Sequence, residues 1–178
     1  MTNPVIKGKR VILRSPRGSD SAELVALNLA SVQFHRGLAS PPKTSEEFDE
    51  FLKRSKQADS ECFMICLRES GVILGTISLS QIFRGGFQSA YLGYYIAAQY
   101  AGQRYMSEAI QLMLRYAFRK LKLHRVEANI QPGNIASIAL VRKAGFNREG
   151  YSKFYLKIGG RWRDHERWAI TVEDWKKK

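Results

Sequence analysis

The sequence predicts a mixed α/β (α+β) fold, a central mixed sheet of about seven strands with about four helices on its faces. Three observations support this. Helix-period and strand-period segments alternate along the chain, the last two β runs meet at the hairpin signal Gly159-Gly160, and no apolar run approaches the roughly 18 residues of a membrane span. At 178 residues with 44% hydrophobic and 11% aromatic content the chain can bury a substantial core. One domain over 1–178, with its core at about 9–172, is the expectation.

Residues 9–14 read as the first strand, and Pro16 and Gly18 turn the chain into a helix over about 19–29. Pro41-Pro42 breaks the chain, and Thr44 with Glu47 three residues on is a capping-box pattern opening a second helix to about Asp59. Residues 61–68 and 71–80 are β-rich runs around a turn at Glu69-Ser70-Gly71, and 90–97 is a further strand after Arg84-Gly85-Gly86. Between Tyr105 and Leu121 the residues Met106, Ala109, Ile110, Met113, Ala117 and Leu121 recur at spacings of three and four, the clearest amphipathic helix in the chain. Residues 124–130 give a strand and 134–143 a short helix, and the closing hairpin carries Trp162, Trp168 and Ile170 on its second strand.

Composition narrows the function. Cys62 and Cys66 on one strand stand about 13 Å apart, too far for a disulfide. His35, His124 and His165 lie in separate regions with no zinc-site spacing, so a reduced, metal-free protein is expected. The start Met1-Thr2-Asn3-Pro4-Val5 lacks the pattern of a signal peptide, which predicts a cytoplasmic protein with no membrane association. The formal charge of +13 suits polyanionic partners without naming one, and no helix-turn-helix or aromatic ribonucleoprotein signature accompanies it.

A strand ending at Ile96-Ala97, a turn containing Gly102 and a helix opening near Arg104 leave backbone N–H groups unpaired at a helix N-terminus, an anion site. Gly102 lets the backbone approach a phosphate closely, and the helix dipole adds a favourable field. On spacing alone, an ordinary strand-to-helix turn is the favoured reading.

The segment Gln99-Tyr100-Ala101-Gly102-Gln103-Arg104 resembles motif A of the GNAT acetyltransferases, written Gln/Arg-x-x-Gly-x-Gly/Ala, with Gln99 and Gly102 matching and Arg104 departing. Tyr105-Met106-Ser107-Glu108-Ala109 is similar to the start of the long helix in the RimJ/RimL branch, which acetylates protein N-termini. Asn134-Ile135-Ala136-Ser137, Ala144-Gly145-Phe146, Glu149-Gly150-Tyr151 and Gly160-Arg161-Trp162-Arg163-Asp164-His165 extend the resemblance over nearly the whole chain. It implies the GNAT fold, a mostly antiparallel twisted sheet in which two neighbouring parallel strands, here ending at Ile96 and Ile130, splay apart at the cofactor site. It further implies acetyl-CoA as cosubstrate. Free backbone groups of Ile96, Ala97 and Ala98 would face pantetheine, one of them stabilising the oxyanion. Gln99, Gly102, Arg104, Tyr105 and Met106 would hold the pyrophosphate, and Asn134 the pantetheine arm.

Asn134 is also a helix N-cap on residue preference, with Ser137 at the third helical position. Many family members carry a general-acid tyrosine four residues beyond Ser137, where this chain has Val141, so Ser137 or a water it holds is the expected proton donor to the thiolate. Glu127 alternates away from the apolar Val126 and Ala128 and is the candidate base; a salt bridge to Arg125 or Lys122 is the competing role. An α-amine has a pKa near 8, so some is neutral at pH 7 and base help is a modest requirement. Tyr91, Tyr94, Tyr95, Phe34 and His35 could line the substrate cleft, although aromatics at such positions are more often core.

The resulting expectation is N-acetylation of a protein N-terminal α-amine, with a ribosomal protein as one acceptor, by direct attack in a ternary complex. Nucleic acid would enter only through proximity to the ribosome, and monomer and dimer are both open. Two rivals stand beside it: a small-amine acetyltransferase acting on polyamines or antibiotics, and a non-catalytic module that binds CoA or RNA.

Overall fold

The computed structural model describes residues 5–177. Its strands are β1 (Ile6–Lys7), β2 (Val11–Arg14), β3 (Glu61–Leu67), β4 (Ile73–Phe83), β5 (Ser89–Ile96), β6 (Arg125–Ile130), β7 (Asn147–Ile158) and β8 (Arg161–Thr171). Its helices are α1 (Ser21–Ala30), α2 (Val32–His35), α3 (Ser45–Arg54), α4 (Tyr105–Arg115), α5 (Ile135–Ala144) and α6 (Val172–Lys176). The strands β2 to β8 and the helices α1, α3, α4 and α5 are those expected. The additions β1, α2 and α6 are two to five residues long, too short to leave a periodic pattern. The start Met1 to Pro4 and the final Lys178, both read from sequence, lie outside the described residues.

The eight strands form one sheet in the order β1-β2-β3-β4-β5-β6-β8-β7, in which β5 and β6 are the one parallel pair among the described residues. That pair is short. Ser89 to Tyr91 lie opposite Arg125 to Glu127, after which β5 pairs with β4 alone and β6 with β8 alone. The sheet therefore opens into the expected splay.

Strand alternation decides what faces the opening. Ala90 and Leu92 on β5, with Val126, Ala128 and Ile130 on β6, belong to the large core under α4 and α5. Tyr94 and Ile96 pack against the same core, so Tyr91, Gly93 and Tyr95 turn to the opposite face, where Leu24 and Phe48 of α1 and α3 cover Met64, Cys66 and Ile73. Glu127 and Asn129 share that opposite face. Asn129 lies across from Arg167 on β8, which places His165, two residues along, on the same side.

Helix ends follow local chemistry. Thr44 Oγ1 accepts the Glu47 N–H at 3.2 Å, the expected cap of α3. That helix stops at Arg54 rather than near Asp59; the Ser55 hydroxyl donates to Leu52 O at 2.8 Å, a local bond that competes with the helical ladder. The helix expected over 105–121 is α-helical to Arg115 and continues as a π turn over Tyr116–Lys120, closed by Leu121 N–H to Tyr116 O at 3.0 Å.

Candidate active site

After Ile96 the chain makes a 3-10 turn, Ala98–Tyr100, and enters α4 through two left-handed residues, Gly102 at φ +74° and Arg104 at φ 67°. Left-handed backbone is a glycine conformation. Arg104 thus departs from the family pattern in its side chain while keeping a glycine-like backbone. No side chain caps α4, and the first helical N–H to be bonded is that of Glu108, to Arg104 O at 3.2 Å, so the preceding N–H groups are left for an anion. A Cβ on Gly102 would meet no atom within 4 Å, so the space beside it is open. The turn is braced from outside: Arg10 Nη1 donates to Gln103 O at 2.9 Å, its guanidinium lies 4.1 Å from the Tyr105 ring centre, and Gln103 Nε2 donates to Gln99 O at 2.8 Å.

From this helix start a cleft of about 270 Å³ runs past Ile96 and Tyr94 to Asn134 and Ser137; Gly102, Arg104, Tyr105 and Met106 line its near end. The edge of β5 differs from expectation. Ala97 N–H is bonded to Leu74 O at 2.8 Å and Ala98 N–H to Ser31 Oγ at 3.0 Å, so neither amide is free. With Ala97 bonded toward β4, the alternation of an antiparallel ladder turns the N–H and C=O of Ile96 the other way, into the splay. The Ile96 carbonyl is then taken by His35 Nε2 at 2.9 Å, which leaves its N–H facing the opening.

Asn134 Oδ1 accepts the Ser137 N–H at 3.2 Å, the N-cap read from sequence. Ser137 Oγ in turn lies 2.5 Å from Tyr94 Oη. Burial pushes the Tyr94 phenol up to about 12, against a smaller opposing effect of the Ser137 bond. The sequence named Tyr94 only as a cleft aromatic; its pairing with Ser137 depends on where α5 crosses β5, which no local pattern records.

A second cavity of about 180 Å³ meets the first at Tyr94, Asn134 and Ser137. Its own walls include Asn129, Gln131, Leu156, Ile158 and His165. Glu127 lines neither cavity. Its carboxylate is bonded to Arg125 Nε at 2.7 Å, and Arg125 also grips Glu149, so of the two roles weighed for Glu127 the ion pair is the one present. Among the described residues no group of three or more His, Cys, Asp or Glu could hold a metal, and no helix is long and apolar enough to cross a membrane. Cys62 and Cys66 are free and buried. Bare helix-start amides, open space beside Gly102 and a paired hydroxyl at the far end together fit a phosphate-headed thioester.

The family model for the acetyltransferase (GNAT) domain matches residues 10–147. The chain is 34% identical to the probable N-acetyltransferase YjcK of Bacillus subtilis, over 96% of this chain and 98% of that one. It is 39% identical to the [ribosomal protein uS5]-alanine N-acetyltransferase of Escherichia coli, over 67% of this chain and 62% of that one. Among solved structures, Mycobacterium smegmatis RimJ in complex with CoA-disulfide superposes with a TM-score of 0.84 at 29% identity, covering 97% of this chain and 87% of that one. With that fold, that cleft and these relatives, the chain belongs to the GNAT family of N-acetyltransferases and uses acetyl-CoA as its cosubstrate.

Proposed function

We propose that this enzyme acetylates the N-terminal α-amine of a protein, with N-terminal alanine on a ribosomal protein as the first acceptor to try, by direct attack in a ternary complex. The observation that carries this reading is the meeting of two cavities at Tyr94 and Ser137, which gives each substrate its own approach to one point. The uS5-alanine relative supports the choice of acceptor.

In this reading the amides ahead of Glu108, with Gly102 and Arg104, hold the pyrophosphate, and Gln99, Tyr105 and Met106 shape the loop around it. The Ile96 N–H stabilises charge on the thioester oxygen, and Ala97 and Ala98 fix that edge through their bonds to Leu74 and Ser31. Asn134 steadies the pantetheine arm. Ser137 gives the departing thiolate its proton and is resupplied by Tyr94, 2.5 Å away, in the place of the tyrosine that Val141 displaces. Glu127 keeps Arg125 and the closed end of the splay in order.

The test measures acetyl transfer to a panel of peptides with different N-terminal residues beside a panel of polyamines and aminoglycosides. Preference for peptide α-amines is expected. Transfer to small amines alone overturns the reading, and RNA binding without acetyl-CoA binding overturns it more deeply.

A further inference from the structure

The second cavity carries polar atoms that the cofactor cleft does not use. His165 is 3% exposed, and its Nδ1 lies 2.9 Å from Arg163 O. A carbonyl only accepts, so Nδ1 carries the proton, and in the neutral ring Nε2 is then a bare acceptor. No hydrogen bond to Nε2 occurs among the described residues. Beside it on the same cavity wall is Asn129, whose Oδ1 is buried without a partner. Not one Lys or Arg lines this cavity, in a chain of net charge +13. Two unused acceptors in a cation-free pocket match a donor-only ligand, and an ammonium group is one.

The rival bases are placed differently. Glu127 is committed to Arg125 and lies opposite Ala169 on β8, four residues from His165, roughly 13 Å along the strand. His35 spends Nε2 on Ile96 O and lines the first cavity, not the second. His124 is exposed and pairs with Glu173 at 3.1 Å.

We infer that His165 is the catalytic base for the acceptor, with Asn129 Oδ1 holding a second N–H of the same amine; this rests on the amine-acetylating reading above. His165 Nε2 takes one proton from the ammonium and frees the nitrogen lone pair. That pair forms the N–C bond as the carbonyl π pair moves onto oxygen. Its return breaks the C–S bond, with the bonding pair leaving on sulfur. Ser137 protonates the sulfur, the remaining excess proton on nitrogen restores the Tyr94–Ser137 pair through solvent, and the proton on His165 passes to water. One proton is released for each acetyl group transferred.

The assay uses the full chain with acetyl-CoA and whichever amine proves fastest in the two panels, so loss of the α-amine reading leaves this test standing. His165→Gln is expected to lower kcat by about 100-fold or more, with CoA affinity by calorimetry unchanged. His165→Ala is expected to regain activity when imidazole is added, and Glu127→Gln to lose far less than either. Near-parental kcat in His165→Gln, no rescue by imidazole in a CoA-binding His165→Ala, or a deeper loss in Glu127→Gln overturns the assignment. Nitrogen NMR of the unsubstituted protein gives a reading free of activity and of variant folding. The proton is expected on Nδ1, and the Nε2 signal is expected to move when acceptor is added in the presence of CoA. An Nε2–H tautomer, or no response to acceptor, overturns it.

Discussion

Two substitutions at Arg104 separate what its backbone costs from what its charge contributes. Arg104→Ala removes the guanidinium and leaves a residue with a Cβ at φ 67°; Arg104→Gly removes both. Left-handed backbone costs a residue with a Cβ about 1–2 kcal/mol, and the greater freedom of glycine in the unfolded chain offsets about 0.4–1 of that. The glycine variant is therefore expected to exceed the alanine variant by about 1 kcal/mol or somewhat less, a rise in Tm of roughly 2–4 °C for a domain of this size. Cofactor affinity reads the other half. A hydrogen bond to a charged group contributes about 1.5–3 kcal/mol, and Arg104 is exposed at the mouth of the cleft, which favours the lower end, about tenfold in Kd. Both variants are expected to bind CoA about tenfold more weakly at low salt, and the gap to the parent to narrow as salt rises. Thermal melts and calorimetry at two ionic strengths measure the two effects. Parental CoA affinity in Arg104→Ala at low salt refutes the phosphate contact, and equal melting of the two variants refutes the backbone argument.

Ser137→Ala is expected to lower kcat by about 100-fold, and Tyr94→Phe by less because Ser137 keeps its own proton; calorimetric CoA affinity should hold in both, and parental turnover in the pair removes the relay. Asn134→Ala loses a cap, about 1 kcal/mol of stability, together with cofactor affinity, whereas Asn134→Ser should keep the cap and lose the affinity; paired melts and CoA titrations check this. Burial pushes Cys62 up to about 12 and Cys66 up to about 11, so both thiols should resist iodoacetamide at pH 8 until urea unfolds the chain. Rapid labelling of either in the folded protein, read by mass, contradicts their packing.

The half of the site proposed for the cofactor is local in sequence, and for that reason its residues could be named there. Gly102 to Met106 is one continuous strand-to-helix passage, and Asn134 and Ser137 are three residues apart because a cap requires that spacing. The half proposed for the acceptor has no local signature. Asn129, Leu156 and His165 come together only because β8 inserts between β6 and β7, and that order is set by long-range pairing. Alternation did separate Tyr94 from Tyr91 and Tyr95, yet which face meets Ser137 depends on the placement of α5. The amides of Ala97 and Ala98 illustrate the opposite failure. A strand end looks free in sequence, but the partners that satisfy it, Leu74 O and the Ser31 hydroxyl, are 23 and 67 residues away by number.

Charge and cavity chemistry act over different distances, and together they argue for a polymeric acceptor. A field of +13 reaches about 8–10 Å into physiological salt, so a free polyamine with several positive charges is repelled before it reaches the cleft. In the pocket proposed for the acceptor, Asn129 Oδ1, the bare Nε2 of His165 and a lining without Lys or Arg among the described residues suit one ammonium. A ligand that satisfies both must carry a single positive end on a body that is neutral or acidic. A protein N-terminus meets that description, and an acidic body, protein or ribosomal RNA, turns the same long-range field from a barrier into a guide.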